Sequence, residues 1–175
     1  MLYDDITIFD NVNKLLKDVQ IKLVENQELM KLLKYDDYTP LDNKELTMDE
    51  AWDLTRPQTN GKGEISHARL NFCPIALGTV TEVSSLVAMT FEVSTISSKP
   101  SFCNIYMGFI ILVKSAVFEL ADGSSRMLSI ASAITKAIQD YDKGVGRIVL
   151  DSFETITPPN GYSATKVFFK VSDFK

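Results

Sequence analysis

The apolar residues of this chain change period near Ile65. Before it they return every third or fourth position, and after it every second, the spacing of one face of a β-strand. The chain is therefore expected to fold as helices followed by a sheet. In the first part Val12, Leu15, Leu16, Val19 and Leu23 share a helical face behind Asp10, a candidate cap. Asn26 offers a second cap ahead of Leu29, Met30, Leu32 and Leu33, and spacing leaves open whether this is one bent helix or two. A polar stretch, 35–43, holds Pro40. Thr47 and Glu50 then form the two halves of a capping box at the head of 48–54, and the composition of 56–63 predicts a loop.

In the second part, His67–Phe72 predicts a strand that Pro74 ends or moves to an edge. Over 86–96, Val87, Met89, Phe91 and Val93 alternate with Ala88, Thr90 and Glu92, so one face is expected to be buried and the other partly wet. The unbroken run Phe109–Val113 suits a central strand covered on both faces. Gly123 precedes a helix over 126–141 with Met127, Ile130, Ala131, Ile134 and Ile138 on one stripe, which Gly144 and Gly146 are expected to stop. Strands over 148–156 and 162–171 flank Thr157–Gly161, a hairpin loop. The predicted class is α+β: a mostly antiparallel sheet of about four to five strands, one covering helix (126–141), a C-terminal β-hairpin and N-terminal helices. Residues 1–63 read as a helical arm with a loop insertion and 64–175 as a ring-forming core, within one structural domain. One sheet face is expected under the 126–141 helix; the other needs cover from the N-terminal helices or from another subunit.

Composition removes several function classes. The net charge is −5, and it is concentrated in residues 1–60, which carry −6 against +1 for the rest. An acidic chain without a Lys/Arg block is poorly suited to tight binding of phosphate backbones. The longest apolar run, Tyr106–Val113, is far short of the roughly 20 residues that a spanning helix needs. The first residues carry Asp4 and Asp5 and no basic residue, unlike a secretory signal. Cys73 and Cys103 could pair but are expected to stay as small buried thiols in a reducing compartment.

Catalytic constellations are nearly absent. His67 is the one histidine, and no Gly-x-Ser-x-Gly elbow accompanies it. His67, Cys73 and Cys103 are too few and wrongly spaced for a closed zinc site. Asp4/Asp5, Asp36/Asp37 and Asp49/Glu50/Asp53 are local carboxylate clusters without a calcium-loop pattern, and the last suits the first turns of a helix. Gly61-Lys62-Gly63 and Gly144-Val145-Gly146 lack phosphate-loop spacing. Lys166-Val167-Phe168-Phe169-Lys170 reads as a packed strand, with Phe168 and Phe169 on opposite faces. No catalytic, cofactor-binding or metal-ligating residue is assigned, and the expectation is a protein that is not an enzyme.

Several segments together carry a resemblance: Asn26–Leu33; Arg126-x3-Ile130-Ala131-x2-Ile134-x3-Ile138; Gly144-x-Gly146-Arg147-Ile148-x-Leu150; and Tyr162-x5-Phe168-x-Lys170-Val171-x-Asp173-Phe174. From about Leu70 to Phe174 the chain resembles the neck and tail-terminator proteins of tailed bacteriophages. That resemblance implies a six-fold homo-oligomeric ring in the virion, assembled in the host cytoplasm. The ring would cap the tail tube protein and join it to a head-side connector or stopper protein, with DNA only passing through the lumen and no membrane involved. It also implies sheets packed side by side between subunits, with helices on the outer side. Candidate docking elements are 56–63, 94–101 and 157–161, because exposed loops on a rigid scaffold carry partner contacts. The 35–63 segment departs from the compact family pattern as an insertion. Another neck or tail-tube ring is the near alternative; a small ligand-binding or enzymatic α+β domain using His67 is the alternative from a different class.

Overall fold

A computed structural model describes residues 2–59, 65–76, 80, 83–95, 103–142 and 146–172. Helix α1 (Leu2–Glu25) begins well before Asp10, so Asp10 lies inside the helix and does not cap it. Val12, Leu15, Val19 and Leu23 form its buried stripe, as their spacing predicted. The chain breaks at Asn26 into a second helix, α2 (Gln27–Lys34). The Asn26 side-chain oxygen accepts from the Leu29 N–H at 2.9 Å, and its amide donates to the Ala133 carbonyl at 3.1 Å. One residue thus caps α2 and ties it to the later helix. A 3-10 turn (Pro40–Asp42) precedes α3 (Met48–Asp53). At the head of α3 the Glu50 N–H donates to Thr47 Oγ1 at 3.3 Å and the Thr47 N–H to Glu50 Oε2 at 2.9 Å, completing the predicted box.

Strands β1 (Gln58–Thr59) and β2 (Ile65–Ser66) make a small antiparallel ladder of their own. The main sheet holds β3 (Leu70–Asn71), β4 (Ser85–Thr95), β5 (Cys103–Lys114), β6 (Arg147–Thr155) and β7 (Tyr162–Ser172), in the order β3-β4-β5-β7-β6. All neighbours are antiparallel except β3, which runs parallel to β4. The fold is α+β, as the change of period implied. The strand expected over 67–72 shrinks to Leu70–Asn71, and His67 falls outside it.

Helix α4 (Arg126–Ile138) ends earlier than 141, and the glycines do not stop it. Gln139 is already extended, and Asp140 takes a positive φ of 63°. The Asp140 N–H then donates to the Ile148 carbonyl (2.9 Å) and the Ile148 N–H to the Tyr141 carbonyl (3.1 Å), so pairing with the start of β6 replaces the next helical turn. Gly144 and Val145, like Gly61–Gly63, residues 96–101 of the predicted docking loop and Asp173-Phe174, lie outside the described residues.

The main core lies on one face of the sheet. Val87, Met89, Met107, Phe109, Ile111, Val167 and Phe169 point there, against α1, α2 and α4 together. Phe109 and Phe169 meet edge to face, with ring centroids 5.7 Å apart. The N-terminal helices therefore share the α4 side rather than covering the opposite face. That opposite face carries a smaller cluster of Leu86, Ala88, Leu112 and Ala164 beneath Val80 and Val83. Tyr162 seals it by donating to the Val83 carbonyl at 2.8 Å. Cys73 is exposed and free, contrary to the expected buried thiol; the Cys103 side chain lies outside what the structure describes.

Candidate functional site

Cross-strand partners in an antiparallel ladder point to the same face. Ile148 pairs with Val171, Leu150 with Phe169, and Phe153 with Val167, so all three β6 residues face the helix side. Leu150 and Phe153 are three apart and would point oppositely in a regular strand. The bulge between Leu150 and Ser152 absorbs one residue and returns Phe153 to the face of Leu150. Ile148 is buried, but Leu150 and Phe153 are 44% and 49% exposed. The apolar face therefore runs past the helices onto the outermost strand. Among the described residues no strand pairs with the outer edge of β6, although Ile148 there exchanges bonds with Asp140 and Tyr141 and the Leu150 N–H donates to Gln139 Oε1 at 2.9 Å, which leaves the edge beyond Leu150 for a partner; β4 is paired on its outer side only at Val87 and Ala88.

Beside the small cluster, the opposite face of the sheet is half-buried at Thr90, Ile110, Ser152, Lys166 and Phe168. Thr90, Gly108, Phe168 and Ser152 stand in one cross-strand row, and Ala88, Ile110, Lys166 and Glu154 in the next. Lys166 lies across this surface with its ammonium 4.1 Å from the Phe168 ring centroid. Gly108 makes room for it: a Cβ there would come within 2.7 Å of Lys166 Cε and 2.5 Å of Thr90 Oγ1. Shallow hollows of about 140 and 290 Å³ flank Tyr106 and Phe168, with Glu92, Asp151 and Glu154 at their rims.

The most constrained side chains lie at the end of α2. A helix leaves its last carbonyls without intrahelical donors. Here two arginines supply them. Fully buried Arg126 donates to the carbonyls of Leu32 (3.0 Å), Tyr35 (2.7 Å), Asp37 and Val117 (2.8 Å). Arg69 donates to the Leu33 and Lys34 carbonyls and grips Asp36 with two bonds, at 2.8 and 2.9 Å. Both cations sit where the helix dipole is negative. Desolvation lowers the Arg126 pKa, which nearby Asp36 and Asp37 partly offset. Partial desolvation pushes Asp36 up, but hydrogen bonds from Arg69 and Ser84 together with the Arg69 and Arg126 charges outweigh that and hold the carboxyl below its ordinary value.

The predicted candidates are dispersed. His67 is half-buried between β2 and β3. Asp36 is taken by Arg69, and Asp37 by its own loop, where it accepts from the Thr39 N–H at 3.0 Å and the Asn43 amide at 2.8 Å. Glu50 bonds Lys34 at 2.7 Å and the Thr47 N–H, which hold its pKa down at about 2, while Asp53 pairs with Arg56 at 3.3 Å. Among the described residues no group of three or more His, Cys, Asp or Glu could hold a metal ion, and no helix is long and apolar enough to cross a membrane. Sequence reasoning missed the arginine clamp. The available signal was Arg126 at the first position of a helix, where a cation opposes the dipole unless something else claims it.

The sequence model of the YomW family matches residues 26–171, from the α2 cap to the end of β7. The chain belongs to the YomW family. That family is phage-associated, which agrees with the viral origin expected from the sequence at this coarse level. No curated protein matches the chain. The span matched by YomW includes the arginine clamp, α4 and the main sheet up to Val171.

Proposed function

We propose that this YomW-family chain is a structural protein of a phage virion. In this reading it forms a homo-oligomeric ring at the head-proximal end of the tail, capping the tail tube and joining it to the head-side connector, with DNA passing through the lumen. The observation that carries the proposal is the apolar overflow on β6. Leu150 and Phe153 continue the core face beyond the cover of this chain's own helices, on an edge strand that a second copy can reach. A head-to-tail contact of this kind repeats, and closes into a ring when its rotation allows. The outer edge of β4, on the other side of the sheet and unpaired beyond Ala88 among the described residues, gives such a contact two different surfaces. The acidic balance suits a pore through which DNA slides.

The test is electron microscopy and light scattering of the purified chain, alone and with tail tubes. The expected product is a ring of ~120 kDa if six copies of 19.6 kDa close. Leu150→Glu/Phe153→Glu should leave a folded chain that no longer forms it. A chain that stays monomeric even with tail tubes, and binds a small ligand in a manner lost in His67→Ala, would overturn the reading.

A further inference from the structure

The 35–43 loop was expected only to be polar. It is instead a built object. Arg126 holds the carbonyls of Tyr35 and Asp37 from beneath, Asp37 ties Thr39 to Asn43 across the loop, and the Ala121 N–H donates to the Tyr38 carbonyl at 2.8 Å. This scaffold presents two apolar side chains to solvent: Tyr38 is 62% and Leu41 44% exposed. Displaying them in one arrangement lowers the ordering cost of binding.

Beside them runs an open groove of about 240 Å³, with Tyr38, Pro40 and Leu41 on one wall and Leu120 and Ala121 on the other. That is below the roughly 300–1,000 Å³ of small-molecule pockets and suits an inserted side chain. The charged groups lining it are both carboxylates, Asp42 and Asp122. Asp122 accepts from Ser124 Oγ at 2.6 Å and from the Ser124 N–H at 2.9 Å, which fixes it in place. Neither carboxylate has an ion-pair partner among the described residues, and the nearby Lys31 ammonium is engaged by the Leu41 carbonyl at 3.1 Å.

We infer that this groove docks a segment of a partner protein that carries one large apolar side chain beside an arginine or lysine. The apolar walls take the anchor, and Asp42 and Asp122 select the adjacent cation. The site lies on the loop after α2, away from the β6 rim, so it stands whether or not the ring reading does.

An arrayed library of hexapeptides, probed with the labelled full-length chain, tests it. The expected enriched sequences pair a Leu, Phe, Tyr or Trp with a neighbouring Lys or Arg. Binding should fall at least fivefold in Leu41→Ser and in Asp42→Asn/Asp122→Asn, with circular dichroism unchanged. The inference is overturned by an array without enrichment, by an enriched set lacking either the apolar or the basic residue, or by binding that ignores these substitutions. It is equally overturned if Leu41→Ser lowers the mass of the isolated chain in solution, because the groove's occupant would then be a second copy.

Discussion

Arg126, the first residue of α4, donates to the carbonyl of Tyr35 at 2.7 Å, just past the last turn of α2. With its bonds to Leu32, Asp37 and Val117, this one guanidinium fastens the N-terminal helices to the helix that covers the sheet.

Replacing Arg126 with Met should therefore cost about 3 kcal/mol or more, since several carbonyls lose a charged donor at once. Arg126→Lys should recover only part of this, because a single ammonium lacks the forked reach of the guanidinium. Urea unfolding measures both. Hydrogen exchange should show the loss concentrated in the 35–42 loop.

Acid should weaken the α2–α3 junction in a defined window. Glu50 has its pKa lowered from 4.5 to about 2 by Lys34 first and the Thr47 N–H second. A carboxyl depressed in the folded state stabilises it fully above the unfolded value, and that contribution is lost as pH falls through the folded one. The melting temperature should decline between pH 4.5 and about 2 partly through this group, and Glu50→Gln should flatten that part of the profile.

Gly108→Ala should destabilise by about 1 kcal/mol, net of the gain from a stiffer backbone. Lys166 can swing away from the new methyl. Thr90 is a β-branched residue whose hydroxyl bonds the Gly108 carbonyl at 3.2 Å, so it has less freedom to move. Adding Thr90→Ala should restore part of the loss, which a double-mutant cycle by chemical denaturation would read.

Ile111→Asp should prevent folding. Ile111 is fully buried in β5, facing the helices with β4 and β7 on either side. An unpaired carboxylate there costs several kcal/mol, enough to consume the stability of a domain this size. Loss of the cooperative thermal transition is the expected result. In contrast, His67→Ala should leave melting and assembly nearly unchanged.

The legible parts of this fold were those that local chemistry decides. Alternation over 86–96 and the apolar run of β5 gave strands because side-chain period reports face. Asn26 and the Thr47–Glu50 pair gave helix starts because their bonding partners are three residues away. What stayed hidden depended on distant segments. The parallel β3 is two residues long and exists only because Leu70 and Asn71 meet Val87 and Ala88. The end of α4 is set by β6, ten residues further on. The role of Arg126 was not legible, because its carbonyl partners are as far as 94 positions away. The groove was invisible for the same reason: its two walls come from 38–42 and 120–122.

The sheet order has a consequence for synthesis. β7 lies between β5 and β6, so an interior strand leaves the ribosome only after both of the strands it joins. Until it does, β5 and β6 have nothing to join them, and the faces of Phe109 and Ile111 are only half enclosed. The sheet cannot close until 162–172 has been made. A chain cut short before Tyr162 would be not a smaller version of this protein but a sticky fragment for the host's proteases.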